Sequence, residues 1–173
     1  MANQEIKLGV FGFGCVGQGL YEVLSQTEGI SATIEKICIK NPNKKRAIDP
    51  GLFTTNPDEI LENDDIDVVV ELIDDADFAF EITKRAFAAG KAVVSANKKM
   101  IAENLQTLYF LQQQHEISFL YEGAVCASIP IIRNLEEYYD NDLLNRIQGI
   151  FNGSTNYILS KIFNDNLSFE TAL

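Results

Sequence analysis

Three glycines near the start of the chain have the spacing of a phosphate-binding turn. An apolar run precedes them and a segment of helical periodicity follows, so the turn joins a strand to a helix. Gly12 then allows a tight turn, Gly14 lets a pyrophosphate approach the backbone, and Gly17 lets the helix pack close to the strand. The alternative is a tight turn that binds nothing. The residues expected to contact a dinucleotide are Gly12, Phe13, Gly14, Cys15, Val16 and Gly17.

A polar loop rich in cations follows the second predicted strand. Where an NAD-specific site has an acid that holds the ribose hydroxyls, this chain has Lys40 and Asn41. An acid there would repel a 2′-phosphate, whereas cations attract one. The loop therefore predicts that NADP is preferred over NAD, with use of both cofactors still open, and the alternative is an ordinary solvated loop. The cations in question are Lys40, Lys44, Lys45 and Arg46.

The composition excludes several classes of protein. With 173 residues and 46% hydrophobic content, the chain is expected to fold as one domain, or as one domain and part of a second. A formal net charge of −11 argues against sequence-independent binding to nucleic acid. The sequence has neither a signal-peptide pattern nor an apolar run of the roughly 20 residues that span a bilayer. We therefore expect no membrane association and a cytoplasmic location.

The cysteines and the histidine give no sign of thiol or metal chemistry. Cys15, Cys38 and Cys126 are far apart and form no C-x-x-C pair, so neither a disulfide framework nor a zinc site is indicated. Cys38 lies in an apolar strand and is expected to be a core residue. His115 stands near the end of a predicted helix, where the helix dipole favours it as a solvated residue rather than a catalytic one.

Strands and helices alternate through the first part of the chain. This order predicts an α/β fold, namely a Rossmann-like doubly wound parallel sheet with right-handed crossovers. The predicted helices cover residues 16–24, 78–89 and 104–116, with a short helix that starts near Asn56. The predicted strands cover residues 6–11, 33–39, 68–73, 92–95 and 117–121.

The pattern changes after Cys126. We predict an amphipathic helix over residues 129–138, a strand over 143–152, and a helix over 156–164 that Ser154 or Thr155 caps. A further helix begins near residue 168, and the chain stops within its first turn. Because a single helical turn cannot hold itself together, we expect the chain to be part of a longer protein.

Four stretches, in this order and at this spacing, resemble homoserine dehydrogenase. The resemblance implies an enzyme that uses NAD(P)H to reduce L-aspartate 4-semialdehyde, a small amino-acid substrate, to L-homoserine on the route to threonine, methionine and isoleucine. It also implies a cofactor domain over residues 1–127 and, over 128–173, the incomplete start of an α+β dimerisation and substrate domain. The stretches are the glycine turn, VVSANK at 93–98, YEGAVCASIPII at 121–132 and GIFNGSTNYIL at 149–159.

The resemblance implies that Lys98 is catalytic and lies where cofactor and substrate meet. Its ammonium group would polarise the aldehyde oxygen or relay a proton as hydride arrives. The alternative is a surface lysine that precedes a helix, as we expect for the neighbouring Lys99. The resemblance further implies that Ile73 and Asn97 contact the cofactor.

The resemblance also implies a monovalent cation, sodium or potassium, and a substrate pocket. Glu122 matches a carboxylate that helps to bind the cation and lies near the substrate, and a solvated glutamate is the alternative. Gly153 and Ser154 match residues that lie against the substrate, although Ser154 is equally suited to cap a helix. The backbone carbonyls expected to complete the cation site belong to Val125, Ala127 and Ile129.

Two departures from the family pattern affect the expected activity. Asp74 and Asp75 stand where the family often has two glycines after its fourth-strand glutamate and the following Ile. Acidic residues and a second lysine of the family's active site lie beyond the stretch that aligns with Leu173, so we expect this chain alone to bind cofactor without appreciable turnover. A homodimer is expected for the intact protein.

Two other functions remain open. The first is a dinucleotide-binding module without chemistry, such as a regulatory fragment, because a fold does not fix a function. The second is an oxidoreductase of a related Rossmann family that acts on sugars or other amino acids. The stretches at residues 121–132 and 149–159 argue against the second.

Overall fold

The computed structural model describes residues 5–29, 31–126, 129–149 and 151–173. The chain divides into two units, Met1–Ala124 and Val125–Leu173. The domain boundary expected between residues 127 and 128 lies outside the described residues. Among the helices that are described, none combines the length and apolar character needed to cross a bilayer.

A six-stranded parallel sheet forms the centre of the first unit. The strand order is β3-β2-β1-β4-β5-β6, which confirms the predicted doubly wound sheet. The order reverses between β1 and β4, and in such sheets ligands bind at the carboxyl ends of the strands beside this point. The strands are β1 (Ile6–Phe11), β2 (Ala32–Cys38), β3 (Phe53–Thr54), β4 (Val68–Glu71), β5 (Ala92–Ser95) and β6 (Phe119–Leu120).

Helices cover both faces of the sheet, because each face presents buried apolar side chains. Val10, Phe13 and Ile37 belong to one buried layer, against which residues of the first helix pack. Phe87 and Met100, from the third and fourth helices, belong to the other layer. In the first unit the helices are α1 (Cys15–Gln26), α2 (Asp58–Leu61), α3 (Ala76–Ala88) and α4 (Lys98–His115), with a 3-10 helix at Pro50–Leu52, and α5 (Glu122–Val125) spans the division between the units.

Two details of the first unit differ from the sequence prediction. Helix α4 begins at Lys98 rather than at residue 104, because the Asn97 side chain accepts a hydrogen bond from the Met100 N–H at 2.9 Å and so caps the helix. The edge strand β3, only two residues long, was not predicted.

The second unit contains α6 (Ile131–Glu137), α7 (Gly153–Asp165) and α8 (Phe169–Ala172). Helix α8 starts after Ser168, as predicted. The strand predicted over residues 143–152 is wrong, since the described residues of this stretch are exposed and not in a strand. A strand requires a hydrogen-bonded neighbour, and the described part of this unit offers none. Ile150 lies outside the described residues.

Candidate dinucleotide-binding site

The glycine turn has the geometry that its three glycines predict. Gly12 has φ of +97°, and a Cβ placed on it would lie 2.7 Å from the Leu72 carbonyl oxygen. A Cβ on Gly17 would lie 2.7 Å from the Gly12 carbonyl oxygen, so α1 approaches the turn too closely for a side chain. A Cβ on Gly14 would meet no atom of the described chain within 4 Å. The space beside Gly14 is therefore open, as the predicted approach of a pyrophosphate requires.

The first turn of α1 supplies hydrogen-bond donors to this space. Gly14 is the N-cap and has no side chain with which to satisfy the free N–H groups of the first turn. Cys15 and Val16 are exposed beside them. Phe13 differs from its neighbours, because its ring is buried and lies edge-on to the ring of Phe53, with centroids 5.3 Å apart. Its ring therefore belongs to the core rather than to the exposed surface of the turn.

A cavity of about 680 Å³ lies between the loop after β2 and the edge strand β3. Three of the four predicted cations line it, namely Lys44, Lys45 and Arg46, whereas Lys40 does not. The aromatic ring of Phe53 and the hydroxyl-bearing Thr54 also line it. The cavity thus combines an apolar wall with positively charged side chains.

Arg46 organises this basic loop. Its guanidinium donates hydrogen bonds to the carbonyl oxygens of Lys44, at 2.7 Å, and Asn41, at 3.1 Å. The same group lies over the Phe53 ring, 5.0 Å from the centroid. Its Nε is buried and has no hydrogen-bond partner among the described residues. A buried N–H donor of this kind, next to two lysines, is chemically suited to an anionic ligand.

A closed ring of hydrogen bonds joins the carboxyl ends of β4 and β5. Glu71 accepts from the Ile73 N–H at 2.8 Å and from the Ser95 hydroxyl at 2.5 Å. The Ser95 Oγ accepts from the Asn97 N–H at 3.1 Å, and the Asn97 side-chain amide donates to the Ile73 carbonyl oxygen at 3.0 Å. We call Glu71, Ile73, Ser95 and Asn97 the strand-end ring.

Burial raises the pKa of the Glu71 carboxyl group. The bonds from Ser95 and Ile73 favour the ionised form and oppose this effect, and the nearby Asp74 carboxylate adds to it. Glu71 is fully buried, a position that the sequence did not predict for it. The available signal was an acidic residue in the middle of the apolar run at 68–73.

Lys98 is the first residue of α4 and directly follows the strand-end ring. Its side chain is exposed at the same end of the sheet as the glycine turn, since both follow carboxyl ends of parallel strands. A cation at a helix N-terminus opposes the helix dipole, so helix stability does not explain a lysine here. Lys99 instead pairs with Glu103 at 3.9 Å and is 72% exposed, in agreement with its predicted solvation.

The structure explains one of the two acids that depart from the family pattern. The Asp75 side chain accepts a hydrogen bond from the Phe78 N–H at 3.0 Å and caps α3. Asp74 is exposed before it. The cap lies in the first turn of a helix, where a carboxylate is favourable, so Asp75 needs no role toward a cofactor.

The residues predicted to bind the substrate and the cation lie from residue 122 onwards, in the last residues of the first unit and in the second unit. Glu122 and Val125 are the first and last residues of α5, Ile129 is exposed, and Ala127 lies outside the described residues. Gly153 and Ser154 open α7, whose cap is Asn152, because the Asn152 side chain accepts from the Thr155 N–H at 2.8 Å. The prediction that Ser154 or Thr155 caps this helix is wrong. The Ser154 hydroxyl is therefore not committed to capping.

Comparisons with known proteins agree with the resemblance. The family model described as homoserine dehydrogenase, NAD binding domain, matches residues 12–122, and the one described as homoserine dehydrogenase matches residues 130–173. The chain belongs to the homoserine dehydrogenase family. The fold and the family, both expected from the sequence, are thus confirmed.

Homoserine dehydrogenases from several bacteria show how much of the family's length this chain spans. It is 34% identical to the Synechocystis enzyme and 30% identical to that of Bacillus subtilis, over 97% and 98% of the chain but 40% and 41% of those proteins. The crystal structure of the Thiobacillus denitrificans homoserine dehydrogenase superposes with a TM-score of 0.86, at 34% identity, over 98% of this chain and 41% of that one.

A more distant homoserine dehydrogenase shares the fold. It is a hyperthermophilic archaeal homoserine dehydrogenase in complex with NADPH, with a TM-score of 0.74 and 22% identity, over 98% of this chain and 59% of that one. The chain thus spans about 40% of the length of the curated relatives that it matches.

Proposed function

We propose that this chain binds the cofactor for an NAD(P)-dependent homoserine dehydrogenase, which reduces L-aspartate 4-semialdehyde to L-homoserine for the synthesis of threonine, methionine and isoleucine. The observation that carries the proposal is the glycine turn at the point where the strand order reverses. Gly12 and Gly17 exclude a Cβ there, while Gly14 is open. Membership of the family supplies the reaction.

Each part of the first unit has a role in this proposal. The α1 N-terminus binds the pyrophosphate with backbone N–H groups of the glycine turn. When bound, the reduced nicotinamide supplies the hydride that goes to the aldehyde carbon. The Lys98 ammonium group hydrogen-bonds to the aldehyde oxygen, stabilises the negative charge that develops on it, and passes a proton to it. Ile73 and Asn97 contact the nicotinamide half of the cofactor.

Enzyme activity tests the proposal in the natural gene product. We expect homoserine to be oxidised with a rise in the absorbance of NADPH or NADH, and we expect the 173-residue chain alone to bind cofactor without appreciable turnover. A gene product that binds cofactor tightly but oxidises no homoserine would favour the alternative of a non-catalytic or regulatory module. If neither NADPH nor NADH bound, both the proposed dehydrogenase and the alternative of a non-catalytic module would be excluded.

The basic loop motivates a prediction about cofactor choice. We expect NADPH to bind more tightly than NADH, because Lys44, Lys45 and Arg46 line the cavity beside β3 and would attract a 2′-phosphate. Replacing Lys44 and Lys45 together by alanine should weaken NADPH binding about tenfold, the equivalent of roughly 1.4 kcal/mol, and leave NADH binding within about twofold. Titration of cofactor fluorescence measures both dissociation constants.

The matched control for this loop is Lys84→Ala. Lys84 is a lysine of α3 that pairs with Glu81 at 2.6 Å and does not line the cavity. The Lys84→Ala substitution changes the net charge without changing the basic loop, so both dissociation constants should stay the same. A lower dissociation constant for NADH than for NADPH in the unaltered chain would refute the proposed preference.

Glu122 motivates a prediction about monovalent cations. In the proposal, its carboxylate and the carbonyl oxygens of Val125, Ala127 and Ile129 bind sodium or potassium, since such cations prefer oxygen ligands. Glu122→Gln should therefore weaken any dependence of cofactor binding or activity on potassium or sodium. Glu136→Gln, which alters an exposed acid of α6, is the control. An unchanged ion dependence in the Glu122 variant would count against the assignment.

The remaining parts of the proposal concern the substrate, assembly and location. Gly153, Ser154 and Glu122 are proposed to lie near the amino-acid substrate. The Ser154 hydroxyl suits that role because Asn152 caps α7 in its place. A homodimer of the intact protein and a cytoplasmic location complete the proposal.

A further inference from the structure

The strand-end ring contains a buried acid that stability alone does not explain. Glu71 is 0% exposed, and none of the ion pairs among the described residues includes it. Burying a carboxyl group away from water is unfavourable, and hydrophobic residues often replace buried charged groups at little or no loss of stability. Glu71 thus calls for a reason other than core packing.

The register of the sheet explains which groups the Glu71 carboxylate can reach. Strands β4 and β5 pair so that Glu71 stands beside Ser95, each as the last residue of its strand. One carboxylate oxygen then accepts from the Ser95 hydroxyl, and the other turns back to the Ile73 N–H. The carboxylate therefore fixes the first residues of the loop that leaves β4 as well as the end of β5.

The Asn97 side chain extends the same constraint to α4. Its amide donates to the Ile73 carbonyl oxygen at 3.0 Å, and its carbonyl accepts from the Met100 N–H at 2.9 Å. The end of β4, the end of β5 and the start of α4 are thus linked through hydrogen bonds that all lead to Glu71. Lys98 is the next residue of the chain.

The strand-end ring lies in the half of the sheet that receives the nicotinamide. A doubly wound sheet has two mononucleotide-binding halves, and a dinucleotide crosses from one to the other where the strand order reverses. The glycine turn after β1 and the basic loop after β2 belong to the half that binds the adenosine. The loops after β4 and β5 belong to the other half.

From these contacts we infer that Glu71 and Ser95 are positioning residues for the nicotinamide half of the cofactor. Through the strand-end ring they set the backbone at Ile73 and the start of α4 at Lys98. They touch neither cofactor nor substrate. The inference rests on the proposed function, since it requires that a nicotinamide dinucleotide binds here.

Two ligands separate this role from a general role in stability. NADPH contains both halves of the cofactor, whereas 2′-phospho-ADP-ribose lacks the nicotinamide ring. In the 173-residue chain, Glu71→Leu should weaken NADPH binding about tenfold, the size expected when buried hydrogen bonds that position a contact are lost. Binding of 2′-phospho-ADP-ribose should stay within about twofold, because the adenosine half is unaltered.

Companion variants make the test specific. Ser95→Ala breaks the ring at a second point with a smaller change in shape and should give the same split between the two ligands. Glu71→Gln keeps the shape and an oxygen acceptor for the Ile73 N–H, so it should recover most of the NADPH affinity. Lys91→Met removes a buried lysine at the opposite end of β5, where it donates to the carbonyl oxygens of Asn63 and Ile66. It should lower the melting temperature without the split.

Three outcomes would overturn the inference. Equal weakening of both ligands by Glu71→Leu and Ser95→Ala would show a purely structural role. A split of the same size in Lys91→Met would show that any loss of stability produces it. If the unaltered chain binds neither ligand, the proposed function fails and the inference fails with it, whereas the first two outcomes leave the proposed function intact.

Discussion

Replacing Gly12 by alanine is expected to lower the free energy of unfolding by about 2 to 5 kcal/mol and to abolish dinucleotide binding. Two separate effects combine. The backbone at Gly12 has φ of +97°, which a side chain disfavours, and the new Cβ would lie 2.7 Å from the Leu72 carbonyl oxygen. Because Leu72 follows β4 directly, relief of that clash must separate the glycine turn from the end of β4.

Gly29→Ala is the matched control for this prediction. Gly29 also has a positive φ, of +100°, but a Cβ placed on it would meet no atom of the described chain within 4 Å. It therefore reports the backbone effect alone, about 1 to 2 kcal/mol. Chemical denaturation and NADPH titration measure both variants. If Gly12→Ala were no more disruptive than Gly29→Ala, the close approach of β1 and β4 at this turn would be contradicted.

Replacing Lys98 by methionine in the natural gene product is expected to reduce kcat for homoserine oxidation by about 10²- to 10⁴-fold. The ammonium group is proposed to stabilise the oxygen that gains or loses charge, and methionine keeps the length of the side chain without its charge. The Kd for NADPH should change much less, because the glycine turn and the basic loop are unaltered. Steady-state kinetics and cofactor titration separate the two effects.

The neighbouring lysine provides the control. Lys99→Met removes the same charge one residue along α4, where the lysine is exposed and pairs with Glu103. An exposed pair of this kind contributes only about 0.3 to 0.5 kcal/mol to stability. Since no contact with the substrate is proposed for Lys99, activity should be almost unchanged. Equal losses of kcat in the two variants would refute the assignment of Lys98.

The helix caps show which features of a helix can be predicted from local sequence. Asn56 accepts from the Asp58 N–H, although Pro57 lies between it and α2. Asp75 and Ser168 stand directly before helices that the sequence predicted, and their side chains accept backbone N–H groups of those helices. Asn97 and Asn152 act in the same way, but both helices were predicted to start later. The same residue types also favour turns, so only the hydrogen bonds of the folded chain decide which asparagine is the cap.

The strand predicted over residues 143–152 shows the opposite limit. Alternating polarity is a property of a segment, whereas a strand exists only beside another strand. Residues 144–149 are exposed and have no partner strand among the described residues of the second unit. The alternating pattern was therefore insufficient to predict a strand, since the sequence of a segment does not specify the neighbouring strand that it needs.

Local sequence was sufficient to predict the features that depend on neighbours along the chain. These are the glycine turn, the alternation of strands and helices, and the four stretches that placed the chain in its family. A turn or a helix is set by residues a few positions apart, so its chemistry can be read locally.

The folded chain was needed to show which distant residues share a site. The sequence did not show that Glu71 is buried beside Ser95, because that contact depends on the register of β4 against β5. Nor did it show that Arg46 lies over Phe53 while Lys40 stays outside the cavity. Such contacts join residues many positions apart, and the packing of the whole sheet, rather than any local pattern, brings them together.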